Sequence, residues 1–326
     1  MELLSVPEDI LYNTTSEEKA DIAIQDKQLG LKRERVSILS PLRYPGSKRR
    51  LAGYIKKMLQ LNCLRPSLFV EPFAGGASVA LQLLNDDVVD TIGLIDLDPL
   101  IAAFWETVFF DSDWLLQQIE TIEITLDQWY RFKQSIPQDT RERALACLFL
   151  NRTSFSGILA PGAGPLGGRA QNSSYPIDCR FPRKTLIKRV QQATALKDRV
   201  AFVWNISWHD GIERVQHLSQ NVLYYFDPPF FEKANQLYTY YFKENDHRCL
   251  RDSILALELP WILSYDVSDQ VNTLYGSDRQ GSAHVELLYS TAGRGGNRVV
   301  QEVIITNLEQ LSGETRLWKS SREWRQ

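Results

Sequence analysis

An aspartate followed by two prolines and a phenylalanine, Asp227-Pro228-Pro229-Phe230, is the segment best suited to chemistry. It follows the apolar run 222–226, which predicts a buried strand. Two prolines stop a strand and stiffen the backbone, so the Asp227 carboxylate and the Pro228 carbonyl can point together out of the carboxyl edge of a sheet. Two such acceptors can hold both protons of a planar aromatic amine and favour a pyramidal nitrogen with an accessible lone pair. Phe230 would stack on a flipped base, although a turn that only ends a strand has the same sequence.

A second segment with chemical potential is 69–78, where a strand-like run enters a glycine turn that opens a helix. Gly75 and Gly76 would let a ligand approach the backbone, and the helix N-terminus supplies free N–H groups. The G-x-G-x-x-G spacing of dinucleotide-binding enzymes is missing, which disfavours a dehydrogenase. Asp96 ends the next strand-like run, twenty residues beyond Gly76, where a carboxylate can accept hydrogen bonds from ribose hydroxyls. Together they predict a site for a nucleoside-type cofactor, with a glycine turn and a helix-capping aspartate as the alternative.

These segments need an α/β scaffold, and the order of the predicted elements supplies one. A helix is predicted at 48–60, after which strand, loop and helix alternate twice up to residue 105, the pattern of a parallel sheet covered by helices. Residues 111–152 are predicted to be helical, and residues 153–182, rich in Gly, Pro, Ser, Arg and Asn, to form a long irregular segment. Strand-like runs resume at 200–204, 222–226, 261–264, 284–289 and 299–306. The simplest architecture is one α/β domain interrupted by a helical and loop-rich insertion.

The formal charge of −3 conceals two basic blocks on an acidic background. Residues 31–57 contain nine basic residues and one acidic residue, and residues 141–200 contain eleven and three. Such blocks are typical of a cationic surface that faces a polyanion such as nucleic acid, although a run of charge is more often a solvated face.

Composition and spacing exclude several other classes of protein. The longest apolar run, 144–150, has seven residues, far fewer than the roughly 20 that span a bilayer. The N-terminus lacks the basic start and apolar core of a secretory signal, so a cytoplasmic location is expected. The four cysteines contain no C-x-x-C pair and the four histidines have no metal-ligand spacing, so neither a disulfide framework nor a metal site is expected.

Taken in chain order, the motifs resemble the Dam-type family of DNA adenine methyltransferases, which methylate the exocyclic amine of adenine with S-adenosylmethionine. The similar segments are 43–48, 69–78, 95–98, 149–157, 227–230, 263–266 and 289–307. The cofactor motifs come first and the recognition segment precedes Asp-Pro-Pro-Phe, which is the family's alpha arrangement. The resemblance implies a Rossmann-like methyltransferase sheet with an inserted helical and loop-rich target-recognition domain.

The resemblance also implies roles for individual residues, with catalysis resting on Asp227, Pro228, Pro229 and Phe230. The S-adenosylmethionine site would be formed by Tyr44, Gly46, Lys48, Glu71, Pro72, Phe73, Gly75, Gly76, Asp96 and Asp227. Contacts with double-stranded DNA would be made by Arg152, Phe155, Arg169, Arg180, Arg183, Lys184, Arg294 and Arg298. Phe155 would insert beside the target base, with a core aromatic as the alternative. Members that read GATC carry an arginine shortly after this segment, whereas here 158–162 enters a glycine-rich loop, so adenine is expected as the target and GATC is doubtful.

The family pattern divides the chain into four parts. These are a flexible extension (1–38), a methyltransferase domain in two pieces (39–110 and 200–310), a DNA target-recognition domain (111–199) and a polar tail (311–326). The implied reaction is methyl transfer to a flipped adenine in duplex DNA, with no metal and no membrane, and a cognate restriction endonuclease or other defence-system partner is left open. Two alternatives remain: a catalytically silent DNA-binding sensor or specificity factor on the same fold, and a methyltransferase for RNA or a protein amide.

Overall fold

The computed structural model describes residues 38–43, 48–231, 239–276, 281–290 and 297–318, without the side chains at 289, 290, 297 and 298. Expectations for Tyr44, Gly46, Arg294 and the Arg298 side chain therefore lie outside the described residues, as do those for 1–37 and 319–326. The last residue assigned to the flexible extension, Ile38, is buried in the core. The described start of the predicted tail, 311–318, contacts the rest of the protein: the Tyr54 hydroxyl donates to the Ser312 carbonyl over 3.2 Å.

The described residues form seven strands and ten α-helices. The strands are β1 (Leu68–Glu71), β2 (Thr91–Ile95), β3 (Val200–Trp204), β4 (Val222–Phe226), β5 (Trp261–Asp266), β6 (Gly281–Ser290) and β7 (Asn297–Thr306). The helices are α1 (Leu51–Leu61), α2 (Ser78–Asn85), α3 (Pro99–Phe110), α4 (Ser112–Thr121), α5 (Leu126–Gln134), α6 (Thr140–Thr153), α7 (Arg183–Thr194), α8 (Trp208–Gln216), α9 (Glu244–Leu255) and α10 (Asp269–Tyr275). Every strand predicted from an apolar run is present, which confirms the α/β prediction.

All seven strands belong to one sheet, in the order β3-β2-β1-β4-β5-β7-β6. β1 to β5 run parallel, and β7 pairs antiparallel with both β5 and β6. The order reverses at β1, because β2 and β3 lie on one side of it and β4 and β5 on the other. Ligands of open α/β sheets bind in the crevice outside the carboxyl ends of strands at such a reversal. The fold therefore directs attention to the ends of β1 and β4.

The sheet separates two hydrophobic clusters, and alternation along each strand decides which cluster a side chain joins. In β4, Leu223 and Tyr225 belong to the cluster that contains α1 to α7, whereas Val222, Tyr224 and Phe226 belong to the cluster beside α8 to α10. Successive side chains of a strand point to opposite faces, so a strand buried on both sides reads as one continuous apolar run. This explains why the sequence signal of β4 is strong and unalternating.

The helical insertion differs in one respect from its prediction. Residues 112–153 form three helices, not one helical stretch, because side chains cap new N-termini within it. The Thr125 hydroxyl accepts from the Gln128 N–H and the Asp139 carboxylate accepts from the Glu142 N–H. Side chains of α4 to α7 share the first hydrophobic cluster with α1, α2 and one face of the sheet. Among the described residues, no helix has the length and apolar character needed to cross a membrane.

Candidate active site

A cavity of about 380 Å³ opens where the strand order reverses. The loops after β1, β2 and β4 supply three of its walls, and residues 239–243 supply another. Its volume falls within the roughly 300–1,000 Å³ of small-molecule and cofactor sites. Predicted cofactor and catalytic residues that line it are Lys48, Glu71, Pro72, Phe73, Gly75, Gly76, Asp96, Asp227 and Pro229.

The glycine turn after β1 is held in shape from both sides. Gly75 has a φ of 44° and Ala77, which precedes α2, has a φ of 46°, so the chain passes through the left-handed region twice in three residues. The buried Trp105 indole donates to the Gly75 carbonyl over 2.8 Å, and the Gly75 N–H donates to Asp96 Oδ2, also over 2.8 Å. A glycine at position 75 avoids the cost of a side chain in this conformation.

Asp96 therefore supports the loop as well as lining the cavity. Its other carboxylate oxygen, Oδ1, accepts from the Asp98 N–H over 2.9 Å. Asp98 in turn caps α3 by accepting from the Leu100 N–H, with Pro99 at the first helical position. Burial, and to a lesser degree the nearby Asp98 charge, raises the pKa of Asp96 to about 7. The carboxylate consequently changes charge near neutral pH.

A second carboxylate, Glu71, closes the inner wall. It is 4% exposed and accepts from the Ala80 N–H in the first turn of α2 over 3.0 Å. An acceptor there satisfies one of the N–H groups that a helix N-terminus leaves without an internal partner. Burial raises the pKa of Glu71 well above its ordinary value, and the nearby Asp227 charge acts in the same direction.

Asp227, directly after β4, is anchored through one oxygen. Asp227 Oδ1 lies 3.2 Å from Lys48 Nζ and accepts from the Ser264 hydroxyl over 3.3 Å. Ser264 also hydrogen-bonds the Tyr225 hydroxyl over 2.8 Å. Burial raises the pKa of Asp227, while Lys48 and the Ser264 hydrogen bond oppose that shift. Among the described residues both contacts engage Oδ1, so the other oxygen, Oδ2, can accept from a donor in the cavity.

Lys48 connects Asp227 with a buried glutamate of β7. Its ammonium lies 3.0 Å from Glu302 Oε1, and the two side chains are 3% and 1% exposed. The same ammonium stands 5.0 Å from the centre of the Phe230 ring. A cation at this distance from an aromatic face is attracted by the ring quadrupole. Lys48 thus contacts Asp227, Glu302 and Phe230 at once.

The recognition segment (149–157) reaches the cavity through Gly157, and Leu159, two residues further on, also lines the cavity. The buried Asn151 amide accepts from the Arg43 N–H over 2.7 Å and donates to the carbonyls of Arg43 and Gly157, each over 2.9 Å. Lys133 donates to the carbonyls of Leu159 and Ala160 over 3.0 and 2.6 Å. Asn151 therefore joins Arg43, the first residue of the cofactor motif 43–48, to Gly157 at the end of the recognition segment 149–157.

The residues predicted to contact DNA fall into two groups. Arg152 is 5% exposed and its guanidinium donates to the Pro41 carbonyl, so the prediction that it faces DNA is wrong: it is buried and holds the chain before α1. Arg183 is half-buried and donates to the carbonyls of Ile119 and Ile122. Arg169, Arg180 and Lys184 are exposed, and Phe155 is 57% exposed.

Several residues of the site were not given a role by the sequence motifs. Trp208, Tyr240, Tyr241 and Phe242 line the cavity, and Phe242 packs edge-on against Phe73 with ring centres 5.6 Å apart. Trp105, Ser264 and Glu302 act through partners far away in the chain. The exposed side chains of His209, Asp210 and Glu213 also lie close together on α8, a grouping that needs no metal to explain it.

The strand order, the glycine turn after β1 and the acid-Pro-Pro-aromatic segment after β4 together define a Rossmann-like methyltransferase. A family model of D12 class N6 adenine-specific DNA methyltransferases matches residues 44–291. The chain belongs to this family and is an adenine-specific DNA methyltransferase, which confirms the resemblance drawn from the motifs. Enzymes of this family act on DNA and in general use S-adenosylmethionine. A comparison with curated proteins found no match.

Proposed function

We propose that this chain methylates the exocyclic amine of an adenine that has been flipped out of duplex DNA, with S-adenosylmethionine as methyl donor. One observation carries the proposal: the Asp227 carboxylate and the glycine turn after β1 line the same cavity. The family match supports the class of reaction.

The cavity residues match the chemistry of S-adenosylmethionine. Asp96 and Glu71 offer carboxylates to hydroxyl and ammonium donors, and Phe73 and Phe242 offer rings to an aromatic base. Gly75 lines the cavity and has no side chain that would keep a ligand away from the turn. When bound, S-adenosylmethionine would supply an electrophilic methyl group: the amine lone pair forms the new N–C bond, and the electron pair of the broken C–S bond stays on sulfur.

The residues at the end of β4 would orient the amine. Asp227 Oδ2 and the Pro228 carbonyl accept its two N–H groups, so the nitrogen lone pair turns towards the methyl group. Positive charge then grows on the nitrogen, and the negative Asp227 stabilises it. Asp227 is also placed to take the proton that the nitrogen loses. Positioning of this kind accounts for a large share of the rate in reactions between two bound partners.

DNA would bind over the exposed cations of the insertion, Arg169, Arg180 and Lys184, with Phe155 entering the space left by the flipped base. The recognition segment would distinguish the target adenine from other bases, because its Gly157 and the nearby Leu159 line the cavity. Phosphate contacts release counterions, so binding should weaken steeply as the salt concentration rises.

The test is methyl transfer by the full chain to duplex DNA, RNA and protein in parallel, with the methylated product identified by mass spectrometry. We expect N6-methyladenine in duplex DNA. Asp227→Ala should bind the cofactor normally and lose at least about 100-fold in turnover, as removal of an electrostatic stabiliser does elsewhere. Asp96→Ala should weaken cofactor binding in calorimetry. Methylation of RNA or protein alone, or near-normal turnover of Asp227→Ala, would contradict the proposal.

A further inference from the structure

The Asp227–Lys48–Glu302 trio brings three charged side chains together at the active site. Asp227 follows β4, Lys48 precedes α1 and Glu302 lies in the middle of β7, so the contacts join residues more than 70 positions apart. Lys48 is 3.2 Å from Asp227 and 3.0 Å from Glu302. Glu302 shares a face of the sheet with Ile304, and that face carries the hydrophobic cluster beside α1. The fold therefore aims Glu302 at Lys48.

The charges of the trio do not cancel. When all three groups are ionised, one ammonium stands between two carboxylates, so these three described side chains together carry one negative charge beside the amine-binding oxygen of Asp227. Lys48 alone would neutralise Asp227 and weaken it as an acceptor, because an adjacent opposite charge acts strongly where little water is present. A second carboxylate on the far side of Lys48 restores the negative potential.

We propose that Glu302 is a positioning residue of the methyl-transfer reaction: it holds Lys48 and offsets its charge, so that the Asp227 carboxylate stays basic enough to be a strong hydrogen-bond acceptor for the amine. This inference rests on the proposed function. Glu302 touches neither substrate nor cofactor and acts through Lys48. Its contribution therefore belongs to the rate of the bound complex and not to the affinity for DNA.

Other titratable groups face the trio and must be kept constant in any test. Glu71 and Tyr265 interact electrostatically with Asp227, and Tyr225 interacts with Asp227, Lys48 and Glu302. Burial raises the pKa of both tyrosines well above the ordinary value, so they stay neutral through the pH range of an activity assay. Glu71 is unchanged in the variants proposed here, and its effect is common to all of them.

The experiment is a set of pH–rate profiles for the wild type, Glu302→Gln, Lys48→Met and the double variant. Glu302→Gln removes an anion that opposes the ionisation of Asp227, so the pKa of Asp227 should fall and the acid limb of kcat should move to lower pH by about one unit. The less basic carboxylate beside an unopposed ammonium is a weaker acceptor for the amine, so kcat should fall roughly 10- to 100-fold. Lys48→Met removes the cation beside Asp227, so its acid limb should move to higher pH. The double variant has the same net charge as the wild type, and its acid limb should return close to the wild-type position.

Glu286→Gln is the matched control. Glu286 lies on β6 next to Val285, which is opposite Glu302, so its side chain points to the other face of the sheet. The control should leave the profile and kcat unchanged. Thermal unfolding of each variant shows whether the substitution has disturbed the fold.

Two results would overturn the inference: a Glu302→Gln profile that matches the wild type, or acid limbs of Glu302→Gln and Lys48→Met that move in the same direction. If Glu302→Gln does not fold, Lys48→Met and the double variant still differ only at Glu302, and equal acid limbs in that pair would overturn it as well. A wild type without methyl transfer to any substrate would instead contradict the proposed function.

Discussion

The edge of the sheet at the ends of β1, β2 and β4 and the basic insertion (111–199) differ in how their charged side chains are arranged. At this edge, the glycine turn after β1 lies around one cavity together with Asp96 and Asp227. In the insertion, basic residues differ in burial: Arg152 is buried and donates to a carbonyl, while Arg169 is exposed. A motif that follows a strand fixes its position through the backbone, whereas charge along a chain does not say where a long side chain will point.

The two regions also differ in how they hold their charges. Asp96 and Glu71 each accept a backbone N–H within a few residues of the turn they support. Arg152 and Arg183 reach carbonyls more than 60 positions away. Partners nearer along the chain make the contacts of Asp96 and Glu71 easier to predict than those of Arg152 and Arg183.

The largest effect is expected for Gly157→Ala, at the contact between the two regions. Gly157 has a φ of 77°, and an added Cβ would lie 2.4 Å from the Arg43 carbonyl oxygen. Neither the backbone conformation nor the backbone neighbour can yield easily, so we expect a loss of about 3 kcal/mol in the free energy of unfolding and weaker cofactor binding. Chemical denaturation and calorimetry measure the two effects.

Gly162→Ala is the control in the same loop, because its added Cβ would meet nothing within 4 Å. It should be nearly neutral. If Gly157→Ala is equally neutral, the recognition segment is not packed against Arg43 at the start of the cofactor motif, and the two regions are independent.

The fold could be read from the sequence because its signals are local. The strands of the sheet are apolar runs, and the helices after β1 and β2 follow turns with glycine or an Asp-Pro pair. The predicted helical stretch 111–152 does not include the ends of its separate helices, although these ends carry a local signal. Asp139 precedes Glu142 by three residues, the spacing of a capping box. Thr125 and Gln128 repeat that spacing.

The rest of the site had no such signal. Glu302 lies within an apolar strand, and nothing near it in sequence indicates a lysine partner from the segment before α1. Asn151 likewise reads as one polar residue at the end of a helix, although its amide joins two distant segments. Long-range pairing of buried polar groups follows from packing, so it appears only once the strand order is known.

A smaller effect, of about 2 kcal/mol, is expected for Arg152→Met, because it leaves the Pro41 carbonyl without its buried donor. Its free energy of unfolding should fall, while the dependence of DNA binding on salt stays as in the wild type. Arg169→Met should do the reverse: stability is unchanged and the slope of log affinity against log salt decreases by about one.

Denaturation and salt titrations of both variants separate the two roles. A reduced salt slope for Arg152→Met would return this residue to the DNA-contacting group. A loss of stability for Arg169→Met would show that exposure is a poor guide to function in the insertion.

The smallest effect, a change of severalfold in cofactor affinity between pH 6 and pH 8, is expected from Asp96. Its pKa is raised to about 7 by burial, so the ionised form, which accepts hydrogen bonds best, becomes dominant only above neutral pH. Affinity for S-adenosylhomocysteine in calorimetry should therefore rise with pH and level off near pH 8, and Asp96→Asn should bind more weakly without that rise. The free energy of unfolding changes in the opposite direction. Because the pKa of Asp96 is higher in the folded than in the unfolded state, Asp96 contributes stability at low pH that is lost as the pH rises through about 7. An increase in affinity between pH 6 and pH 8 therefore cannot come from increased stability. An affinity that does not change with pH would show that Asp96 supports the glycine turn and does not contact the cofactor.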